Sequence, residues 1–395
     1  MVKNILVVGA GQAQKKTIEM INNLGLISHS IDGDKKAPGL LISKFKAIGD
    51  IKDHLFIFNY IKKYKINAVM VVATDAPMLA TAKACAKAKI PFMSPSTANL
   101  STNKLKQRKL MIANGFLTPK FQAFSNLCGA KKAAKKIGFP SVVKPVDSSG
   151  SRAVKLLMNE EMLEKYANDA ISTSGTKKAM IEEYISGTEY SIEGFVINKK
   201  IVISATSEKV RSAPPALLDV SVIFPDNLAR SNQKKLINTA KNLIAHTKLN
   251  NCPFHIEAIY SSKGPVIVEF AARGPGFKVF TDILPEISGI DTLHTQLNIA
   301  LNKPRIKYTK KLFKYAHITF IAGKNGIVKS IKGLSISRKY KNITEVEFFI
   351  KKGDKVKNLE SGSDRIGYII GKSNNLKNLR GSIKKTLNTI VVNYE

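Results

Sequence analysis

Two glutamates past the middle of the chain, Glu257 and Glu269, have a spacing that could hold a divalent cation. They lie in two predicted strands, 255–260 and 266–271, which a short Ser/Gly turn joins as an antiparallel pair. Alternate side chains of a strand share a face, so the two carboxylates lie side by side if those faces coincide. Such a pair requires a proton or a cation, and Mg²⁺ with nucleotide phosphates meets that need, with Arg273 adding charge for a transferring phosphoryl group. The alternative is a pair of solvated edge-strand acids with a lysine partner.

A lysine followed by a flexible loop forms a second candidate site. Lys144 ends an apolar strand predicted at 141–144, and the Ser/Gly-rich segment 147–152 follows at once. Backbone N–H groups of small residues approach phosphate oxygens closely, while a lysine neutralises their charge. The Walker pattern GxxxxGK[ST] is absent. The alternative is an ordinary hairpin turn with a surface lysine.

A third candidate is the segment 181–190, IEEYISGTEY, in which an apolar strand end is followed by a short turn and an acid. Backbone groups at such a strand end could meet the edge of an adenine ring, and Glu189 could bind ribose hydroxyls. Glutamates are also common at strand ends, so this segment alone leaves both interpretations open.

The N-terminal turn 9–14, GAGQAQ, begins like a dinucleotide fingerprint but has Gln14 where the third glycine belongs. Asp32, 21 residues past Gly11, could stand in for the acid that binds ribose. This pattern makes an NAD-dependent oxidoreductase a rival hypothesis. The alternative is a tight turn between a strand and a helix.

The elements that must position these residues fall into three regions. Residues 1–102 alternate strands and helices, which predicts an α/β domain with a doubly wound parallel sheet; its strands are predicted at 4–9, 27–31, 68–72 and 90–93. Residues 103–305 have antiparallel strand signals among helices and form an α+β region. Residues 306–395 are predicted as a small β-rich subdomain that ends in a helix near 375–390.

The formal net charge of +34 raises the question of nucleic acid binding. The lysines are spread along the whole chain without interleaved aromatic residues, which favours a solvated surface over a specific nucleic acid footprint. The three cysteines are far apart, which fits a reducing compartment. No apolar run approaches the length that crosses a bilayer, and the chain starts directly as a strand. We expect a soluble cytoplasmic protein without membrane partners.

Taken in order, these motifs resemble the ATP-grasp superfamily. The resemblance over 103–305 rests on five segments: NKLKQRKLMIANGFLTPKF, GFPSVVKPVDSSGSRAV, IEEYISGTEYSIEGF, HIEAIYSSKGPVIVEFAARGPG and GIDTLHTQLNIALNK. Residues 1–102 resemble the Rossmann-like pre-ATP-grasp domain of the branch with carbamoyl-phosphate synthase, biotin carboxylase and purine carboxylate–amine ligases. Residues 306–395 are similar to the small C-terminal subdomain that follows biotin carboxylase-like modules.

The resemblance implies a role for each matching residue. Lys144 and Arg273 would be the catalytic cations, and Glu257 and Glu269 the Mg²⁺ ligands. The ATP contacts it implies are Lys104, Lys144, Ser148, Ser149, Gly150, Ser151, Arg152, Glu182, Glu183, Tyr184, Ile185, Glu189 and His255. The family usually has Asn two residues after the second metal glutamate, whereas this chain has Ala271, which leaves the number of metal ions open.

The implied reaction is an ADP-forming ligation. A carboxylate would be activated as an acyl phosphate and passed to an amine, so the partners are small-molecule acids and amines, and a homodimer is left open. Candidate substrate contacts are Thr74–Asp75, Lys209–Arg211, Pro214–Pro215 and Gly274–Lys278. The alternative within this fold is a catalytically impaired module that binds or senses ATP.

Overall fold

The computed structural model describes residues 2–395, and it begins with a parallel sheet, as predicted. Successive residues of its first strand, Ile5–Val8, are apolar and buried, which indicates that both faces of the sheet are covered. The strand order is β3-β2-β1-β4, with β1 (Asn4–Val8), β2 (Ile27–Asp32), β3 (Phe45–Ile48) and β4 (Ala68–Met70). The helices around it are α1 (Gln12–Asn23), α2 (Pro38–Ile42), α3 (His54–Lys63), α4 (Met78–Ala88) and α5 (Pro95–Ser101).

The strand predicted at 90–93 does not form. This segment runs as a loop between α4 and α5. Pro91 lies within it and has no backbone N–H to donate to a ladder. The sheet instead gains the short strand β3, whose alternation is too weak to predict from the residues alone.

A small antiparallel sheet follows helix α6 (Lys104–Ala113). Its order is β5-β8-β6-β7, with α7 (Leu127–Ile137) and α8 (Leu163–Thr173) packed against its apolar face. The strands are β5 (Phe121–Phe124), β6 (Ser141–Pro145), β7 (Lys155–Leu157) and β8 (Ala179–Glu183). This sheet carries Lys144 on β6 and Glu182 on the adjacent strand β8.

The two acid-bearing strands belong to a third and larger sheet, which has eight antiparallel strands. Five of them come from the central region: β9 (Thr188–Ile197), β10 (Lys200–Arg211), β11 (Asp219–Phe224), β12 (Cys252–Ser261) and β13 (Gly264–Ala271). Helix α9 (Arg230–His246) packs on β12 and β13. A π-helical turn (Val279–Ile283), α10 (Leu284–Ser288) and α11 (Thr292–Ala300) lead back to the N-terminal sheet, where α11 contacts β4.

The C-terminal region is rich in strands, as predicted, but only some of them form a sheet of their own. Strands β14 (Tyr315–Ala322), β16 (Ile343–Phe348) and β18 (Arg365–Ser373) continue the large sheet, whose order is β13-β12-β9-β10-β11-β14-β18-β16. A separate three-stranded sheet has the order β17-β15-β19, formed by β15 (Gly326–Lys332), β17 (Lys355–Val356) and β19 (Val391–Tyr394). The remaining elements are α12 (Leu334–Ser337), a 3₁₀ turn (Gly362–Asp364) and α13 (Leu376–Thr389).

Most of the basic residues lie on the surface. Within residues 2–395, the buried lysines and arginines are Arg108, Lys144, Lys155, Lys209 and Lys372. None of the helices described is both long enough and apolar enough to cross a membrane.

Candidate active site

The predicted acidic pair forms as expected. Glu257 of β12 lies opposite Glu269 of β13 in the ladder, so both side chains leave the same face of the sheet. Their side chains are only 17% and 23% exposed, which differs from the solvated position of the alternative interpretation. Both line a cavity of about 450 Å³ between the large sheet, the loop after β6 and the C-terminal region.

Each of these two acids has a lysine partner from a distant element. The residues next to them in the sequence do not indicate these partners. The Lys104 Nζ lies 2.7 Å from Glu269 Oε2 and also donates to the Ser148 carbonyl over 2.7 Å. The Lys209 ammonium contacts the Glu257 carboxylate. Burial opposes the charge on Lys104, but Glu269 outweighs it and raises the pKa of that lysine. Mutual repulsion of the acids is therefore offset by two lysines.

A histidine bridges two carboxylates beside this pair. His255 Nδ1 lies 2.9 Å from Glu193 Oε1, and its Nε2 lies 3.2 Å from Glu257 Oε1. Burial would lower the pKa of His255, but Glu193 and Glu257 outweigh it and raise that pKa to about 10. The imidazole is therefore a cation at neutral pH and donates from both nitrogens.

The bridging histidine makes stability depend on pH. A pKa raised from 6.5 to about 10 stabilises the fold fully below pH 6.5, and this contribution is lost as the pH rises towards 10. We expect the free energy of unfolding of the wild type to fall across this window. The fall should exceed that of His255→Gln by about 1 kcal/mol or more, because glutamine keeps one hydrogen-bond donor but does not titrate. Urea unfolding at several pH values measures the difference. Parallel profiles for the two proteins would contradict a charged His255.

Glu182, predicted to lie near the adenine, has its side chain in a buried ion cluster. Its carboxylate receives Arg108 Nε at 2.7 Å, and Lys144 Nζ lies 2.5 Å from its other oxygen. All three side chains are at most 5% exposed. Burial would raise the pKa of Glu182, but Arg108 and Lys144 lower it to about 2. The interpretation of Lys144 as a surface lysine is therefore wrong, and the Glu182 side chain is engaged within the protein.

The rest of the predicted adenine segment lies at the end of β8 and just after it. Glu183 accepts a hydrogen bond from the Lys120 backbone over 3.2 Å, and the Tyr184 N–H donates to the Pro140 carbonyl over 3.2 Å. Tyr184 is exposed, and Ile185 is half-buried. The Tyr184 N–H is thus already engaged within the protein.

Glu189, predicted to bind ribose, lies in a second ion cluster on the large sheet. Arg211 Nη1 lies 2.8 Å from both of its oxygens, and Lys209 Nζ lies 3.2 Å from Oε1. Asp219 of β11 completes the cluster, 3.0 Å from Arg211 and 3.2 Å from Lys209. Lys209 therefore lies among three carboxylates, those of Glu189, Asp219 and Glu257, which raise its pKa against the effect of burial.

The predicted phosphate loop borders the same cavity. Ser149, Gly150, Ser151 and Arg152 all line it. The loop reverses direction at Gly150 and Ser151, which have φ angles of 70° and 54°, in the left-handed region that glycine adopts without strain. The loop therefore borders the cavity, and its closing over phosphates stays a prediction.

The C-terminal region covers this loop. Gly362 and Ser363 line the cavity beside it, and Lys155 Nζ, just after the loop, donates to the Glu360 carbonyl over 3.3 Å. The cavity is thus completed by a segment that is remote in sequence from every predicted site residue.

Arg273 connects the site to the N-terminal domain. Its guanidinium makes a two-pronged contact with Asp75, with Nε–Oδ1 of 2.8 Å and Nη2–Oδ2 of 2.6 Å. Burial acts to lower the pKa of Arg273, but Asp75 outweighs it and raises that pKa. Thr74 also lines the cavity, so the Thr74–Asp75 segment borders the site as predicted.

One part of the cavity wall is apolar. Phe277 lies edge-on to Phe320 with ring centroids 4.7 Å apart, and Val222 and Phe224 line the cavity with them. The Arg365 guanidinium lies 3.7 Å from the Phe320 ring centroid and donates to the Asp219 carbonyl over 2.7 Å. Of the predicted substrate contacts, the Pro214–Pro215 loop does not line this cavity.

The N-terminal glycine turn has structural contacts of its own. Asp32 accepts from the Ala10 N–H at 2.6 Å and from the Asp34 N–H at 2.9 Å, so both of its oxygens are used by the backbone. The Gln14 amide donates to the Val72 carbonyl over 2.6 Å, and its side chain lies beside Gly9 and Gly11 of the turn. These contacts favour a tight turn over the ribose site of the oxidoreductase hypothesis.

Three site residues were missed in the sequence: Arg108, Glu193 and Asp219. A signal existed for two of them. Arg108 lies four residues after Lys104 on one helix face, and Glu193 shares a strand face with Glu189. Asp219 had none, because β11 was not predicted.

The donor set fits Mg²⁺. Glu257 and Glu269 offer hard oxygen ligands on one face, and Mg²⁺ is usually held by one or two carboxylates together with phosphates and water. Within residues 2–395 no group of three or more His, Cys, Asp or Glu forms a complete metal cage. An ion here would need ligands from a bound nucleotide, and Ala271 supplies none.

Comparisons with known proteins agree with the motif order. Residues 137–282 match the ATP-grasp domain family, and residues 318–395 match L-amino acid ligase C-terminal domain 2. An L-amino acid ligase from Bacillus licheniformis has the same fold, with a TM-score of 0.88 at 20% identity, over 100% of this chain and 99% of that chain.

Curated relatives are longer than this chain. An uncharacterized protein of Sinorhizobium fredii, y4rH, is 21% identical over 293 residues, 73% of this chain and 60% of that protein. The carbamoyl phosphate synthase large chain of Clostridium acetobutylicum is 22% identical over 250 residues, 62% of this chain and 23% of that protein. This chain therefore spans less than two thirds of the length of these relatives.

Proposed function

The chain belongs to the ATP-grasp superfamily, and from this premise we propose that it is an ADP-forming ligase that joins a carboxylate to an amine through an acyl phosphate. The observation that carries the proposal is the pair Glu257 and Glu269, which share one face of the sheet above a cavity bordered by the loop residues 149–152. This arrangement has oxygen ligands, cations and free backbone donors within one space. Such a combination suits phosphoryl transfer, which depends on positioning and charge stabilisation.

Cations around the cavity would hold the nucleotide. We assign Lys104, Lys144 and the backbone of 148–152 to the phosphates, the 182–185 segment to adenine, and Glu189 to ribose. Glu257 and Glu269 would hold Mg²⁺, which when bound neutralises phosphate charge. Lys104 would then exchange part of its contact with Glu269 for a phosphate, and Arg211 would release Glu189 in part.

The reaction proceeds in two displacements. A carboxylate oxygen attacks the γ-phosphorus of ATP, the bond to the β-phosphate oxygen breaks, and ADP leaves. An amine nitrogen then attacks the acyl carbon, the carbon–oxygen bond to phosphate breaks, and the nitrogen loses a proton. Arg273 would stabilise charge on the phosphoryl group and acyl phosphate.

We further propose that the activated acid is an amino acid with an apolar side chain. The likeness to an L-amino acid ligase over the whole chain and the matching C-terminal domain support an amino acid. The Phe277 and Phe320 rings line the cavity together with Arg273, so an apolar side chain and a carboxylate both have suitable contacts there. The identity of the amine is left to the assay.

A trapping assay tests the proposal. Purified protein is given ATP, Mg²⁺ and single amino acids, with hydroxylamine in place of the amine. We expect acid-dependent release of ADP and phosphate and formation of the hydroxamate of the accepted acid, with oxygen-18 passing from a labelled carboxylate to phosphate. Release of AMP and pyrophosphate, or of ADP independent of any acid, would overturn it. Binding of ATP without any turnover would favour the sensing module instead.

The contact between Asp75 and Arg273 gives a specific prediction. Asp75→Asn removes the anion that orients a buried guanidinium, and small displacements of a catalytic group cost up to about 100-fold in rate. We expect kcat/KM for the acid to fall about 10- to 100-fold, with ATP affinity nearly unchanged. Asp50→Asn, an exposed acid of the same domain, serves as the control. An unchanged kcat/KM in Asp75→Asn would remove Asp75 from the site.

A further inference from the structure

A second cavity lies on the other side of the contact between the N-terminal and central regions. It has a volume of about 430 Å³ and shares no lining residue with the cavity of the candidate active site. Strand β4 and the loop after α4 form one wall, and the start of β12 and the end of α11 form the other. Its size is within the range of pockets that enclose small organic ligands.

One wall of this cavity has a buried polar atom without a partner. Gln296 is 8% exposed, and its Nε2 donates to the Val71 carbonyl over 2.8 Å. Among the residues that the structure describes, none donates a hydrogen bond to its Oε1. An unsatisfied buried acceptor costs about 1–3 kcal/mol, so a ligand that donates an N–H or O–H here gains that contact.

The remaining lining narrows the chemistry of the ligand. The side chains of Val69, Met78, Phe92 and Ile299 make much of the wall apolar, and none of the lining residues is acidic. Lys248 is exposed and supplies the single charge of the lining. These groups suit an apolar body with one hydrogen-bond donor and a negative charge.

We propose that this cavity is an effector site for a small apolar organic anion that carries an N–H or O–H donor. The donor would bond to Gln296 Oε1, the apolar body would pack against Phe92 and Ile299, and the anion would face Lys248. The argument for binding rests on the cavity alone. Its effect on catalysis rests on the proposed ligase function.

Two short chain segments connect the cavity to the catalytic cations. Ala272 lines the cavity and directly precedes Arg273. Val71, held by Gln296, lies four residues before Asp75, the partner of Arg273. A ligand between these segments would change the geometry of the Asp75–Arg273 contact. The affinity of the active site for the substrate acid would change with it. Such coupling acts equally in both directions.

Indole-3-acetate is a suitable probe because it combines an aromatic ring, one N–H and a carboxylate. The chain contains no tryptophan, so indole fluorescence reports on the probe without a protein background. We expect saturable binding to the folded protein. Gln296→Met should weaken it about five- to tenfold through loss of the acceptor, and Ile299→Phe should also weaken it by filling the cavity while keeping the Gln296 contact.

Charge is tested with a matched pair of variants. Lys248 and Lys177 are both exposed lysines with positive φ angles, 58° and 55°, a conformation that asparagine tolerates well. Lys248→Asn should weaken the probe a few-fold, and Lys177→Asn should not. Binding of the neutral analogue 3-methylindole should depend on Gln296 and not on Lys248.

The site would be overturned if the probe did not bind the folded wild-type protein. It would also be overturned if Gln296→Met and Ile299→Phe bound the probe as tightly as the wild type does, or if the two lysine variants had equal effects on probe binding. The coupling is measured separately, as a change in the KM for the acid when the probe is present. This change should be absent in Gln296→Met. Binding without that change would overturn the effector role and support the site alone. If the protein has no ligase activity, the fluorescence titration still decides on the site, so the two failures are distinguishable.

Discussion

Glu269→Gln is expected to lower kcat for ATP-dependent ligation about 10³-fold while leaving the protein folded. The substitution keeps the size of the side chain and one oxygen but removes the charge that faces Glu257 across the strands. It also leaves Lys104 without its carboxylate partner, 2.7 Å away in the wild type. Loss of one electrostatic group that acts on a transferring phosphoryl typically costs about 10²–10³ in rate, and a metal ligand lies at the upper end. The measurement is the initial rate of ADP release at saturating ATP.

A matched control separates this effect from a general disturbance of the sheet. Glu347 is a strand residue on the same eight-stranded sheet and also has a cationic partner, Arg338, 2.8 Å away. Glu347→Gln should leave the rate within about twofold of the wild type, because exposed ion pairs contribute little. Turnover of Glu269→Gln within tenfold of the wild type at every Mg²⁺ concentration would remove Glu269 from the metal site.

Arg108→Met is expected to destabilise the fold by about 3–5 kcal/mol. Arg108 is buried, and its removal leaves Glu182 and Lys144 as an incompletely compensated pair. Breaking a buried ion cluster by removing one partner costs this much because the remaining charge cannot be hydrated. Urea unfolding measures the loss, and Arg152→Met, on an exposed loop, is the control.

A triple variant of the same cluster separates its contribution to stability from its contribution to ATP binding. Replacing Arg108, Glu182 and Lys144 together by Met, Leu and Met removes every charge and should restore most of the stability, since apolar replacements of buried ion clusters are often neutral. We expect the triple variant to fold and to have lost ATP affinity, because it lacks Lys144, which we propose to contact the phosphates. Normal ATP affinity in the triple variant would show that the cluster only supports the fold. A cost below about 1 kcal/mol for Arg108→Met would contradict the buried cluster itself.

The local geometry of the site follows from the sequence. The apolar run of β1 and the alternation of strands and helices predict a parallel sheet, which forms. The period of two places Glu257 and Glu269 each on a definite face of its own strand. Whether those two faces coincide depends on the register of the strands, in which Glu257 pairs with Glu269. The order of the motifs along the chain indicates the superfamily. The strand predicted at 90–93 contains Pro91. Pro91 has no backbone N–H to donate to a neighbouring strand, which explains why no strand forms there.

The partners of these groups were decided only by tertiary structure. Lys104 and Lys209 reach the acidic pair from a helix and from a strand two positions away in the sheet, and β14 extends that sheet from the C-terminal region. The charge of His255 depends on Glu193, which is 62 residues away in the chain, and Arg273 meets Asp75 across 198 residues. Side-chain direction is a property of neighbouring residues in the chain. Ion pairs, pKa values and cavities depend on which distant surfaces pack together, and the spacing of residues along the chain does not encode that packing.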